Sequence, residues 1–404
     1  MTELRDLVQP GSRIALGDGC GTPRSLHKAL SRAAAGRDVK LVLGWMPGAT
    51  DLDPTAFADI RTLAGGPGVR PLLDSRAAHP VPCRLSGIPS LLAGTLQPDL
   101  LVATVVRGTD GYYLGAESSW MRRVIEAGTP VAAMISTAAP LAEAGPPLPA
   151  ERITIVGEAE SPPIEIPDAV PTAADNAVAR NVASLVPAGA RIQVGPGRLA
   201  QAIVAALEVP VRFDSGLLPD PVVDLDDNGL LIGEPVATYL CGTQRLYEWA
   251  HGRRILRPID VTHDIGRLSA AAAAPLISVN TALEIDQDGQ VNVEGIGGKN
   301  VGMIGGHPDF SAAAVRGAGL SVIAVPSRNR DCPTLVEKLT RPVTTGSHDI
   351  DMVVTERGIA DLRGRSRPER RAILRALWDG EIRSDDSARQ GSGQRTHCTD
   401  EETL

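Results

Sequence analysis

Residues 276–326 read LISVNTALEIDQDGQVNVEGIGGKNVGMIGGHPDFSAAAVRGAGLSVIAVP. An apolar, strand-like run over 276–285 passes into the acidic Glu284, Asp286 and Asp288. A loop with six glycines follows: Gly295, Gly297, Gly298, Gly302, Gly305 and Gly306. A small-residue helix and a second apolar run, 321–326, complete the unit. Strand, glycine loop, helix and strand in that order predict an α/β fold. Backbone this rich in glycine can approach a ligand closely and aim bare N–H groups at it. The spacing excludes two familiar phosphate cradles. No G-x-G-x-x-G opens a helix directly after a strand, and no GK[ST] appears.

The pattern recurs across the chain. GSRIALGDG over 11–19 and GARIQVGPG over 189–197 both read as a strand, a Gly-x-Gly turn and a helix (25–35 and 199–207). At the same offset, Asp110-Gly111 falls on Asp288-Gly289, each closing an apolar strand (100–106 and 276–285). Ala127-Gly128 precedes a strand over 131–135, and Ala318-Gly319 precedes one over 322–325. Two homologous open α/β halves are one reading, with crossover helices and mostly parallel sheets. The other is that strand–Gly–helix units recur in any α/β protein. A break is expected in 157–173, which carries four prolines. The expected division is 1–165, 166–383 and a polar tail, 384–404, too poor in aliphatics to order itself.

Composition sets the outer limits. A chain of 404 residues is too long for one ordinary core, which again gives two domains. Apolar content is 43% but aromatics only 3%, so Val, Ile, Leu and Ala must build the cores. The net charge of −8 weighs against nucleic acid or an anionic membrane as the partner. Cys20, Cys83, Cys241, Cys332 and Cys398 form no CxxC and no metal-ligand spacing, which points to reduced thiols, a cytoplasmic location and no metal site. Residues 1–9 include Glu3 and Asp6 without a long apolar run, so no export signal is expected. No stretch reaches the roughly 18 apolar residues of a spanning helix.

Several segments resemble the acetyl-CoA hydrolase/transferase family, which includes 4-hydroxybutyrate CoA-transferases. In the opening stretch the matching residues are Ser278-Val279-Asn280, Glu284-Ile285-Asp286, Gly289-Gln290-Val291-Asn292, Gly297-Gly298, Gly305-Gly306 and Asp309-Phe310. Asp110-Gly111-Tyr112-Tyr113-Leu114-Gly115 is similar to the family's D-x-x-G-y-f-S-L-G turn. Val353-Val354-Thr355-Glu356 and Gly358 to Gly364 are similar to its VVTEYGVADLRG. The resemblance implies two similar α/β domains of CoA-transferase type with the active site in the cleft between them. It also implies acyl-CoA and small carboxylic acids as substrates, with coenzyme A a substrate and no permanently bound cofactor. A homo-oligomer or a paralogous partner would be in keeping with it. In the family reaction a carboxylate attacks the thioester, a mixed anhydride forms, and CoA returns to give a glutamyl thioester that a second acid collects.

Here the chain departs from the pattern. The family's nucleophile lies in a segment like G-I-H-T-E-M-f-s-D-g-v-v-D-L, and this chain has RFDSGLLPDPVVDL over 212–225. Asp220 and Val222 to Leu225 fix the register without a gap, so Gly216 stands where the glutamate should be. A glycine cannot form an anhydride. Asp214, two residues earlier and on the same face of an extended segment, is one substitute carboxylate; a turn-stabilising Asp is the plainer reading. Ser215 lacks a G-x-S-x-G elbow. His307, where the family commonly has Gln, is a candidate to activate water, or else an ordinary loop His.

For CoA binding the resemblance implies Gly295, Gly297, Gly298, Gly302, Gly305 and Gly306, with Asp309 and Glu294 as acidic family positions. Lys299, Arg316, Arg328 and Arg330 lie near the loop in sequence as partners for CoA phosphates, or as plain surface charge. Gly195 and Gly197 match the family's G-I-G turn, a place for oxyanion-binding N–H groups, with Pro196 removing one donor. The Gly17-Asp18-Gly19 turn would serve the other half, or would be plain turn geometry. An enzyme of acyl-CoA transfer or hydrolysis is the leading expectation, and the missing glutamate weighs against transfer. The alternative is a non-catalytic CoA- or acyl-CoA-binding paralogue or partner subunit.

Overall fold

The computed structural model describes residues 2–167 and 169–384, so the tail expected over 384–404 lies, beyond Ser384, outside the described residues. The chain divides into two compact units. The first runs to Pro167 and adds Gly216–Leu218 and Val236–His263. The second takes the stretch up to Ser215, Pro219–Pro235 and the chain from Asp264.

The first unit is built on an eight-stranded sheet. From edge to edge its strands are His79–Pro80, Asp59–Thr62, Lys40–Leu43, Arg13–Leu16, Leu100–Arg107, Val131–Ser136 and Ile153–Ala159. Tyr112–Leu114 pairs antiparallel to Leu100–Arg107, and all other pairings are parallel. The period-two alternation of the strands sorts their side chains onto two faces. Ile14, Leu16, Leu41, Leu43, Leu100 and Val102 enter one core. Ala15, Val42, Leu101, Ala103 and Val105 enter the other, against Trp120, Met121 and Ile125. Burial on both faces is why these strands read as continuous apolar runs.

The second unit carries a six-stranded sheet in the order Arg212–Phe213, Arg191–Val194, Leu276–Asn280, Leu320–Ala324, Met352–Thr355 and Gly358–Asp361. It is parallel apart from the closing hairpin of Met352–Thr355 with Gly358–Asp361. Its helices show clear starts. Thr172 and Asp175 form a capping box on Ala173–Ala183, and Ser366 and Glu369 form another on Arg367–Leu377. Helix His307–Arg316 is buried from His307 through Ala314, because Ser311, Ala312, Ala313 and Ala314 let it lie close to the sheet.

Both sheets share one order. The first strand's successor lies on one side of it, and the later strands step away on the other. Each therefore has a switch point, between Arg13–Leu16 and Leu100–Arg107 in one unit and between Arg191–Val194 and Leu276–Asn280 in the other. Ligand sites of open α/β sheets sit beyond the carboxyl ends of strands at such points.

Three expectations need correction. The apolar run over 276–285 is not one strand. Leu276–Asn280 ends in the main sheet, and Glu284–Asp286 joins a separate three-stranded sheet with Val291–Asn292 and Leu335–Val336. The second half of the chain does not stay together. Leu217–Leu218 pairs with Tyr239–Leu240, Leu240 N–H donates to Ala116, and Ile259 packs in the first unit's core. The stretch 157–173 takes in the end of the strand Ile153–Ala159 and the boundary of the first unit at Pro167. Among the cysteines, Cys20, Cys83 and Cys241 are thiols, whereas Cys332 is disulfide-bonded, so reduced thiols do not hold throughout.

Candidate active site

In the second unit a cavity opens at the switch point. Gly195, Pro196 and Gly197 line it after the strand Arg191–Val194, as do Asn280 and Thr281 after Leu276–Asn280. Leu199, Ala200 and Ile203 of helix Arg198–Ala205 form an apolar wall. Gly197 holds φ at 105°, which only glycine adopts readily, and it starts that helix without a side-chain cap. A Cβ on Gly195 would meet nothing within 4 Å. The polar side chains beside the cavity are tied into a ladder. Ser278 Oγ donates to Gln193 Oε1 (2.8 Å), Asn280 Nδ2 donates to Ser278 Oγ (3.0 Å), and Gln193 Nε2 donates to Asn280 Oδ1 (3.4 Å). No ionisable side chain lines the cavity, so it suits a neutral acyl or amide-bearing chain better than proton transfer.

His307 is tied to one residue of the cavity lining, Thr281. Its Nε2–H donates to the Thr281 carbonyl (3.0 Å) and its Nδ1 accepts from the Thr345 hydroxyl (2.7 Å). Burial lowers its pKa to about 4. The ring is neutral at ordinary pH with both nitrogens used, so it pins the start of its helix to Thr281.

Asp214 is buried between two guanidinium groups. Arg267 grips both oxygens (2.8 and 2.9 Å) and Arg191 Nη1 adds a third bond at 3.1 Å. A carboxylate held this way cannot swing out to attack a thioester. Ser215 Oγ donates to the Val194 carbonyl at 3.0 Å, a backbone tie within the sheet. Gly216 belongs to the other unit, where its carbonyl accepts from Thr238 N–H (3.0 Å) and Tyr239 N–H (3.1 Å).

The glycine loop proves to be a hairpin. Gly295–Ile296 pairs with Lys299–Asn300, leaving Gly297 and Gly298 at the tip. A Cβ on either tip glycine would meet nothing within 4 Å, whereas one on Gly295 would lie 2.2 Å from the Lys299 carbonyl oxygen. Not all of its N–H groups are bare. Gly297 N–H donates to Thr340 Oγ1 and Gly302 N–H to the Glu294 carbonyl. Gly305, at φ 63°, and Gly306 turn the chain into helix His307–Arg316, where Asp309 is wholly buried in the first turn. Burial raises the pKa of Glu294, whose Oε1 accepts from Thr344. Glu284 is also fully buried, taking bonds from Asn292, Thr340 and Arg383, which marks it as a structural anchor. Arg328 is engaged by Glu381 and by the Asp331 carbonyl, so it is no loose phosphate ligand.

The first unit holds a buried acidic cluster at the Gly17-Asp18-Gly19 turn, which the sequence offered either as a site for the other half or as plain turn geometry. Asp18 follows the strand Arg13–Leu16 at the switch point and is 1% exposed. Its Oδ2 accepts from Trp45 N–H (3.1 Å), Trp120 Nε1–H (3.0 Å) and the Tyr239 hydroxyl (2.9 Å). Its Oδ1 has no hydrogen-bond partner among the described residues. Burial pushes its pKa up to about 6, against those bonds. Glu117 is buried nearby, accepting from Gly21 N–H at 2.8 Å, and burial drives its pKa well above the usual range. Ser119, at φ 47°, bonds the Tyr239 hydroxyl at 2.7 Å. The Cys20 thiol is raised by its hydrogen bond with Cys241 and by burial. One cue was present in the sequence: a lone acid inside a Gly-x-Gly turn at the end of an apolar strand.

Residues 242–385 match the acetyl-CoA hydrolase/transferase C-terminal domain. A 4-hydroxybutyrate coenzyme A transferase of Clostridium kluyveri is 27% identical over 330 residues, 76% of each chain. A succinyl-CoA:cyclohexane-1-carboxylate CoA transferase of Geobacter metallireducens is 32% identical over 219 residues, 49% of each. The crystal structure of RipA from Yersinia pestis superimposes with a TM-score of 0.82 over 93% of each chain at 23% identity, a likeness of fold. The match over 242–385 and the likeness to these transferases support the acetyl-CoA hydrolase/transferase family for this chain.

Proposed function

We propose that this protein is an acyl-CoA thioester-processing enzyme that passes the acyl group to water, and that CoA transfer through a glutamyl thioester is not its reaction. Likeness to a family of hydrolases and transferases supports the substrate class. One observation carries the choice between them. Gly216 offers no side chain, and both oxygens of the neighbouring carboxylate, Asp214, are held by Arg191 and Arg267. A covalent route needs a carboxylate placed to within a fraction of an ångström, since a shift of about 1 Å can cost on the order of a hundredfold. Neither position supplies one. The cavity at Gly195 and Asn280, and the open hairpin tip at Gly297 and Gly298, are assigned to the acyl chain and to the pantetheine arm.

The test is a panel of acyl-CoAs incubated with and without carboxylate acceptors, with free thiol and new acyl-CoA followed separately. Free CoA should appear at a rate that acceptors do not change, and mass spectrometry should find no CoA adduct on the protein. A CoA thioester on Asp214, or acceptor-dependent formation of a new acyl-CoA, would restore the transferase reading. Tight CoA binding without turnover of any substrate would assign the chain a non-catalytic role instead.

A further inference from the structure

We propose that Arg341 receives the diphosphate of coenzyme A where the pantetheine arm leaves the glycine hairpin. The inference rests on the reading above, in which CoA thioesters are the substrates and the hairpin tip takes the arm. It names a cation that the sequence did not single out.

Several arginines of the second unit are spent on carboxylates: Arg328 on Glu381, Arg371 on Asp288 and Arg383 on Glu284. Arg341 is not. Its one hydrogen bond among the described residues runs from Nη2–H to Asn300 Oδ1, at a long 3.4 Å. Its Nε is buried and has no acceptor among the described residues. Glu294, close enough to feel its charge, accepts from Thr344 instead. A half-buried guanidinium in this state has given up water without gaining the charge-assisted bonds that would offset the loss.

The hairpin fixes where Arg341 stands. A Cβ on Gly295 would lie 3.2 Å from its Nε, so the guanidinium lies against bare backbone of the first hairpin strand. Asn300, its one partner, belongs to the second strand. The residue before it is held at two points. Thr340 Oγ1 accepts from Gly297 N–H at 2.9 Å, and Thr340 N–H donates to the fully buried Glu284 at 2.9 Å. The tip and the arginine are therefore positioned together. With Nε closed off against Gly295, Nη1 and the second hydrogen of Nη2 are the donors left for a ligand. A guanidinium presents such donors in a planar fork that matches phosphate oxygens. In a CoA thioester the diphosphate follows the pantetheine arm directly. A cation flanking the hairpin that takes the arm meets phosphate before adenine, and stands on the far side of the arm from the acyl group.

Arg341→Gln keeps an amide for Asn300 and removes the charge. Calorimetric titration of the folded variant should show CoA bound on the order of tenfold to a hundredfold more weakly than by the native protein, as for loss of a charge-assisted bond. In competition with CoA on the native protein, 4′-phosphopantetheine should act at a lower concentration than pantetheine, which has the arm and no phosphate. Arg341→Gln should lose that difference. A folded Arg341→Gln that binds CoA as tightly as the native protein overturns the assignment and leaves the CoA-thioester reading standing. A variant that still prefers 4′-phosphopantetheine as strongly as the native protein shows that Arg341 only supports the hairpin, and also overturns it. A native protein that binds neither CoA nor any acyl-CoA overturns both. If Arg341→Gln does not fold, the native competition decides, and 4′-phosphopantetheine no better than pantetheine overturns the proposal.

Discussion

The two units end their parallel strands in the same topological place and fill it with opposite chemistry. In the first unit the switch point is crowded with ionisable groups: Asp18, Glu117, Cys20 and Tyr239, pressed against glycines with no spare room. In the second it is an open, uncharged cavity with a buried amide and hydroxyl ladder behind it. Glycine serves both, in contrary ways. At Gly19, Gly21 and Gly44 the missing Cβ is the space a carboxylate occupies, whereas at Gly195, Gly297 and Gly298 it leaves free volume. A shared strand order therefore says where a site lies, and only the side chains say what it does.

The sharpest way to break this contrast is at Asp214, the one carboxylate of the second unit that adjoins the Gly216 position. As a structural ion pair it should be costly to remove. Asp214→Ala leaves Arg191, with its side chain only 10% exposed, without its bond to a carboxylate. Losing one member of such a pair costs about 3–5 kcal/mol. Urea unfolding of the variant should show a loss of that size. A change below about 0.5 kcal/mol would mean that the arginines do not depend on Asp214, and would return it to the list of functional carboxylates.

Next in size are two opposed pH effects. Asp18 has a folded-state pKa of about 6 against an ordinary 3.8, so folding favours its protonated form. Its contribution is whole at low pH and is lost as pH rises from about 4 to 6, a loss of about 3 kcal/mol. Asp18→Asn should consequently be more stable than the native protein at pH 7 by up to about that amount, and no more stable at pH 3. His307 runs the other way. Its pKa drops from 6.5 to about 4, so its contribution is whole above 6.5 and is lost as pH falls to 4, again about 3 kcal/mol. His27 in the first unit, lowered by burial to about 4, adds to the same acid-side slope. Denaturant curves from pH 3 to 8 on the native protein, Asp18→Asn and His307→Asn separate the terms. An Asp18→Asn curve parallel to the native one would remove the buried acid from the first unit's account.

Much of the fold was legible because it is local. Gly17 and Gly19, Gly195 and Gly197, Asp110-Gly111 and Asp288-Gly289 mark strand ends by turn chemistry that needs no distant partner. What could not be read depends on contacts far apart in sequence. The segment 236–263 joins the first unit through Leu240 on Ala116 and Ser118 on Thr238, pairings that no local pattern announces. Asp18 looks like a turn residue until Trp120 and Tyr239 close over it from 102 and 221 positions away. Asp214 and His307 were sound candidates by residue type. Their partners, Arg191, Arg267 and the Thr281 carbonyl, are what assign them to structure.

The smallest effect on stability is also the finest test of the contrast, because it compares a glycine at a strand end of each unit. Gly44→Ala puts a Cβ 2.3 Å from Asp18 Oδ2, so the carboxylate must move and overpacking should cost about 1–3 kcal/mol. Gly195→Val points into open space, where nothing lies within 4 Å, and should shift stability by less than about 0.5 kcal/mol. Its effect should show in binding instead. The added methyl groups occupy the cavity beside Asn280 and Thr281 that is assigned to the acyl chain, so longer acyl-CoAs should lose affinity while free CoA keeps its own. Calorimetric titration with CoA and with a matched series of acyl-CoAs reads both quantities on one variant. Unchanged affinity along the whole series would show that the second unit's cavity takes no part in acyl binding. An equal loss for free CoA and for every acyl-CoA would move the assignment from the acyl chain to the pantetheine arm.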